Sequence, residues 1–261
     1  MVRVMEAFVY HNNSTSPPLE LPPEKENLNL IPPGVIAIGL ALSISVMLLS
    51  FAIGVWVLRM RNEYVIRASQ PIFLVQICVG TFIIASAIIP LGWQEPKPQL
   101  GLDVACMSVP WLFAIGFTIA VSAIFSKTRR VNQLMNTSSG FRRIRVKPRD
   151  VMKATSILLA INVVLLTAWS ASPWRMSWHR ITVENQIDQF GRSKESYGVC
   201  RPNSQWHFLL TVPLVLTNAI VLGMATFQSY RARDLPSDFS ETSYMAISMI
   251  SLSEVFILGS K

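Results

Sequence analysis

From residue 35 to residue 58 the chain runs for 24 residues without one charged side chain. As an α-helix this stretch is about 36 Å long at ~1.5 Å per residue. That exceeds the ~30 Å hydrocarbon core of a bilayer. The segment therefore belongs in lipid, and the rest of the fold must be compatible with a membrane.

Four further charge-free stretches follow, at residues 72–92, 107–126, 154–172 and 207–228. Pro71 opens the second, at a helical first turn where a missing N–H is harmless. Pro213 lies inside the fifth, which membrane bundles tolerate by re-pairing the freed carbonyl. A sixth stretch, 243–259, is shorter and carries Glu254, the only charge inside any span. The composition agrees: 51% of residues are apolar and 15% charged, where a soluble domain carries roughly a quarter charged. The fold class expected is an all-α membrane protein. Residues 1–34, with Pro17, Pro18, Pro22, Pro23, Pro32 and Pro33 among charged and polar neighbours, read as an extended linker. Residues 1–10 contain no apolar run of secretory-signal type.

Orientation follows from Lys and Arg, which favour cytoplasmic loops. The loops after the first, third and fifth spans hold fourteen of them; the N-terminal segment and the alternate loops hold eight. The N-terminus is therefore predicted outside. Overlapping sequons at Asn12 and Asn13 agree, since N-glycosylation requires the lumenal face. The same orientation places Cys106, ahead of the third span, and Cys200, ahead of the fifth, on the oxidising side. A bond between them would close a loop of nearly one hundred residues, worth on the order of 4 kcal/mol in chain entropy. The other reading is two free thiols in an oxidising compartment. Cys78 falls inside the second span and reads as a small packing residue.

The net charge of +8 is concentrated rather than spread. Lys127, Arg129, Arg130, Arg142, Arg143, Arg145, Lys147, Arg149 and Lys153 face one acid, Asp150, across the second inner loop. Attraction to anionic inner-leaflet lipids accounts for such a cluster; a docking surface for a cytoplasmic partner is the sharper reading, and the two coexist. This distribution points away from nucleic acid. Lys127 stands at the inner end of the third span, where it either snorkels to the headgroups or pairs with Glu241 at the start of the sixth, a pair suited to switching. Glu254, a carboxyl inside a span, is costly there and reads as functional by default; the other reading is that it faces a polar cavity or a seventh helix.

No enzyme chemistry is visible. His11, His179 and His207 are scattered, and the chain has no paired-histidine metal motif, phosphate-binding glycine loop or nucleophile–base pair; no metal or cofactor is expected. The first five spans carry no ionisable side chain at depth, which argues against a transporter. Gln76, Asn162 and Asn218 are read as interhelical hydrogen-bonding residues.

The stretch Cys106-Met-Ser-Val-Pro-Trp111-Leu-Phe-Ala-Ile-Gly116-Phe117-Thr118, followed by Phe125-Ser-Lys127-Thr128-Arg129-Arg130-Val131, resembles the third helix of GABA-B-like class C G-protein-coupled receptors. Ile66-Arg67-Ala68-Ser69-Gln70-Pro71 is similar to the family's first inner loop, and Trp169 and Pro173 to the end of its fourth helix. Tyr230-Arg231-Ala232-Arg233 and Ser240-Glu241-Thr242-Ser243-Tyr244 are similar to its third inner loop and the start of its sixth helix. Ser172 stands where the family has an acid before this proline, and the Trp169 to Pro173 interval is one residue shorter.

This resemblance implies a heptahelical receptor bundle, truncated here in or after the sixth helix, over residues 35–261. It implies an outer Cys106–Cys200 disulfide and an inner-face ionic lock between Lys127 and Glu241. Arg129, Arg130, Arg142, Arg143, Arg145, Arg231 and Arg233 become expected contacts of a heterotrimeric G protein, with a receptor homo- or heterodimer and membrane lipids as further partners at the plasma membrane. The alternative is a noncatalytic membrane scaffold or dimer partner that lacks its own coupling. The family's bilobed ligand-binding module has no counterpart in the short linker, so no agonist-binding residue is expected here.

Overall fold

The computed structural model describes residues 27–68, 71–138, 148–182, 195–232 and residue 247. The expected sixth span at 243–259, with Glu254, lies outside these residues, residue 247 apart. By contact the chain divides into two compact units, Met1–Leu30 with His179–Val199, and Ile31–Trp178 with Cys200–Lys261. In the first, the described residues form strand backbone and a bridge between Asn27 and Glu195, with Ser196 N–H donating to the Asn27 carbonyl at 3.0 Å. The helices, with residues 176–178 and 200–202, make up the second.

Helix α1 spans Pro33–Arg59, with Pro32 as its N-cap and Pro33 in the first turn, where a fixed φ favours the helix. Its burial is inverted relative to a soluble helix. Leu42, Leu48, Leu49 and Phe51 are exposed, whereas Ser43, Ser50 and Gly54 are buried with Val57. Lipid solvates leucine as well as a protein core does, so membrane helices associate through small residues that let backbones approach. Ser43 uses that proximity to donate its hydroxyl to the Ala85 carbonyl at 2.7 Å.

After a short helix α2, Tyr64–Ala68, the second span is built in two pieces, α3 at Pro71–Ser86 and α4 at Ile88–Leu91. The sequence reading makes it one helix. The break comes from Pro90, which cannot donate to residue 86 and whose ring crowds that carbonyl. The ladder tightens there, with Ala87 N–H going to the Ile84 carbonyl at 3.1 Å.

Helix α5 runs for 40 residues, Gln99–Ser138, with Pro110 inside it. At about 60 Å it exceeds a bilayer. It begins eight residues before the span expected at 107–126 and continues twelve beyond it, so Cys106 lies within the helix rather than ahead of it. Helix α6, Pro148–Ala171, opens on a proline and contains the shorter apolar run Thr155–Ala171. Two strands that the all-helical reading did not anticipate, β1 at Met176–Thr182 and β2 at Ser196–Pro202, pair in the loop that follows. A 3-10 turn at Gln205–His207 leads into α7, Phe208–Ala232, which contains Pro213.

Among the described residues four helical segments are long and apolar enough to cross a membrane: Pro33–Arg59, Pro71–Leu91, Gln99–Thr128 and Gln205–Tyr230. Helix α5 is central, packing against α3, α6 and α7. Two buried clusters hold it. One joins Phe117 and Val121 of α5 to Val221, Leu222 and Ala225 of α7; the other joins Ala114 to Leu166 and Trp169 of α6 and Leu214 of α7.

Candidate functional site

The central helix carries a distinct polar arrangement at each of three levels. At its N-terminal end Cys106, buried, is bonded to Cys200 of β2 with their Cα atoms 5.6 Å apart. One turn earlier, Asp103 Oδ1 accepts from the backbone N–H of Trp178 at 2.8 Å and from Gln99 Nε2 at 3.0 Å. Gln99 Nε2 also donates to the Trp178 carbonyl at 2.9 Å. Both strands are thereby tied to the first two turns of α5, β2 covalently and β1 through hydrogen bonds.

At mid-depth the contacts are close and polar. Gly80 of α3 and Gly116 of α5 face each other with no side chain between: a Cβ on Gly80 would come within 2.7 Å of the Gly116 carbonyl oxygen. Gln76 Nε2 lies 3.4 Å from Ser122 Oγ of α5 and 3.3 Å from Thr155 Oγ1 of α6, bridging three helices. A second bridge is buried. Asn218 of α7 donates to Asn162 Oδ1 of α6 at 2.8 Å and to its own helix at Leu214, while its Oδ1 lies 3.2 Å from Thr118 Oγ1 of α5. Each of the three polar residues read as interhelical bonders has a partner on another helix. Nearer the disulfide, Trp111 Nε1 donates to Ser170 Oγ of α6 at 2.8 Å.

At the opposite end Lys127 is 4% exposed, although the sequence leaves it free to snorkel. Thr128, also buried, lies with its Oγ1 3.4 Å from Ser229 Oγ of α7 and donates to the Ile124 carbonyl at 2.8 Å. The third and fifth spans therefore meet through hydroxyls directly beside Lys127. Its expected partner Glu241 lies outside the described residues, as do Arg142, Arg143, Arg145, Arg233, Asn12 and Asn13. Arg129 and Arg130 fall on the backbone of α5 and Arg231 on that of α7; their side chains lie outside the described residues.

Several of these contacts escape a sequence reading. The glycine pair leaves a signal, a glycine well inside each of the second and third apolar spans, but no spacing rule says that the two meet. The Thr128–Ser229 and Trp111–Ser170 pairs join residues far apart in sequence, and only packing brings them together.

These features define a multi-pass helical membrane protein organised on one long helix, with a disulfide-anchored loop at one end and a buried basic residue at the other. The family described as "7 transmembrane sweet-taste receptor of 3 GCPR" matches residues 31–259. The chain belongs to this family, the class C G-protein-coupled receptors, which are receptors rather than enzymes. It is 29% identical over 134 residues, 51% of its length, to gamma-aminobutyric acid type B receptor subunit 2 of Caenorhabditis elegans, covering 15% of that protein. It is 22% identical over 224 residues to the subunit of the same name from Rattus norvegicus, which is 84% of this chain and 23% of that protein. Metabotropic glutamate receptor-like protein E of Dictyostelium discoideum is 20% identical over 194 residues, 74% of this chain and 22% of that protein. The chain thus spans less than a quarter of the length of these relatives.

Proposed function

We propose that the chain is the membrane core of a GABA-B-like receptor that relays an extracellular signal across the plasma membrane to a heterotrimeric G protein, working as a homo- or heterodimer. Residues 35–261 form the core and residues 1–34 an extracellular linker glycosylated at Asn12 and Asn13. The observation that carries this reading is the build of α5. Its N-terminal end is tied to both strands by Cys106, Asp103 and Gln99, and its other end buries Lys127 beside the Thr128–Ser229 contact. A stiff helix coupled at both ends transmits displacement, which a soft loop does not. The charge asymmetry of the loops supports an outside N-terminus. Arg129, Arg130, Arg142, Arg143, Arg145, Arg231 and Arg233 then face the cytoplasm, where they meet the G protein and anionic lipid.

In this reading Lys127 and Glu241 form an ionic lock that holds the third and sixth helices together at rest. A buried lysine losing its counter-charge is destabilised by about 3–5 kcal/mol, enough to shift a two-state equilibrium. In the full gene product, Lys127→Ala and Glu241→Ala are each expected to raise basal G-protein activation. Unchanged basal and stimulated signalling in both variants would sink the lock. Failure of the full gene product to signal at all would favour a scaffold that pairs with a complete receptor.

A further inference from the structure

The end of the linker is held by a side chain 63 residues further along the chain. Ile31 stands ahead of Pro32 and Pro33, so its N–H and carbonyl lie outside the ladder of α1. Gln94 takes both: the Ile31 N–H donates to Gln94 Oε1 at 2.9 Å, and Gln94 Nε2 donates to the Ile31 carbonyl at 3.1 Å. A primary amide carries an acceptor and a donor group in one plane, the pair that a neighbouring strand would offer. The contact continues inward along α1 and α4. A Cβ on Gly92 would meet Ile36 Cγ2 at 3.4 Å, a Cβ on Gly39 would meet Ile88 Cγ2 at 3.9 Å, and Ser43 bonds the Ala85 carbonyl. Residues 31, 36, 39 and 43 thus run antiparallel to 94, 92, 88 and 85.

The next residue of the same loop holds β1. Glu95 Oε1 accepts from Trp178 Nε1 at 3.3 Å. The backbone of Trp178 is in turn the group that α5 holds, its N–H on Asp103 Oδ1 at 2.8 Å and its carbonyl on Gln99 Nε2 at 2.9 Å. Trp93 seats the loop on α5, where Gly101 leaves room for the indole: a Cβ there would lie 3.6 Å from the ring. Lys97 Nζ is 3.8 Å from the centroid of that ring. Adjacent side chains of the first outer loop therefore join the linker to the central helix, in the order Ile31, Gln94, Glu95, Trp178, Asp103. None of these bonds runs through Cys106–Cys200. The break between α3 and α4 separates the loop from the ladder of α3, whose own position is set lower down at Gly80 and Gly116.

We propose that Gln94 is a positioning residue: with Glu95 it makes the first outer loop a bracket that carries displacement of the linker end to the first turns of α5. The direction, from linker to helix, rests on the reading of the chain as a receptor core; the coupling rests on these bonds alone. Residues 94 and 95 are consecutive, so a shift at one moves the other through the fixed length of the backbone. A loop bonded at one end only would absorb the same shift. Coupling of this kind is a free energy shared between two sites, and it is reciprocal. Loosening the Ile31 end must therefore loosen the Trp178 end, and the converse.

The test is hydrogen–deuterium exchange on the full gene product in lipid nanodiscs, resolved to single amides by mass spectrometry. The Ile31 and Trp178 N–H groups are the reporters, since each is bonded to a side chain of the bracket or its anchor. Gln94→Ala is expected to speed exchange at Ile31 about tenfold, the loss of an ordinary hydrogen bond. At Trp178, whose N–H is bonded to Asp103, the same variant speeds exchange about fivefold, the low end of coupling between sites. Trp178→Phe, which removes the indole donor to Glu95, gives the reciprocal rise at Ile31. Amides of α3 keep the parent rates in both variants, and an intact Cys106–Cys200 bond reports that each has folded. A rise confined to Ile31 in Gln94→Ala overturns the proposal, as does an equal rise throughout α3. No G protein or agonist enters the measurement, so a chain that fails to signal leaves this result standing, and a negative result here leaves the receptor reading standing.

Discussion

Gly80 of α3 and Gly116 of α5 meet backbone against backbone, so that a Cβ on Gly116 would lie 2.8 Å from the Gly80 carbonyl oxygen and 2.9 Å from the Ile84 amide nitrogen. At each glycine two of the three nearest atoms belong to the main chain and cannot rotate aside. Gly80→Ala is therefore expected to push the helices apart and cost about 1–3 kcal/mol, the range for overpacking a tight interface. Gly223 of α7 provides the control: among the described residues nothing lies within 4 Å of a Cβ built there. Gly223→Ala should be neutral or slightly stabilising, since alanine is the better helix former. Thermal unfolding of both variants in detergent checks the contrast, and equal midpoints would show that the glycine contact is not a limiting one.

Asn162 and Asn218 bond across α6 and α7 in a site where both are buried. Interhelical hydrogen bonds in membranes average about 0.6 kcal/mol by double-mutant cycle, with a maximum near 1.7. A cycle of Asn162→Ala and Asn218→Ala should give coupling in the upper part of that range, because the pair also meets Thr118 of α5. Additive losses would mean that each amide is satisfied by its own helix alone, through the bonds to Leu158 and Leu214.

Trp111 and Trp169 sit in one cluster yet differ in their N–H groups. That of Trp111 bonds Ser170, whereas that of Trp169 is buried with no acceptor among the described residues. An orphaned donor already carries its desolvation cost, so deleting it recovers part of what the smaller ring loses. Trp169→Phe should thus destabilise less than Trp111→Phe, by about 1 kcal/mol. The comparison is made by denaturant or thermal melting of the two variants side by side, and the reverse order would contradict the assignment.

The sequence made several features legible because lipid restricts a chain so strongly. A stretch such as 35–58 has one physical outcome in lipid, since a helix satisfies every backbone polar group internally. The resemblance around Cys106, Trp111 and Lys127 pointed to the family that the match over residues 31–259 shows. The extent of α5 was harder to read, because its polar ends at 99–106 and 127–138 look like loop by hydropathy and become helix by continuation from an apolar centre. The strands β1 and β2 were not legible at all; their pairing depends on anchors at Asp103, Gln99 and Cys106, which are distant in sequence.

The sequence by itself determined that this is a membrane chain, where its first five apolar spans lie and which residue types punctuate them. Those properties are set by local composition, through the free energy of moving a side chain or a peptide group between water and lipid. Only the tertiary structure decided that Gly80 faces Gly116, that Asn218 reaches Asn162 and that Lys127 is buried. Contacts between apolar spans depend on helix rotation and depth, and hydropathy, which is nearly uniform around such helices, carries no record of either.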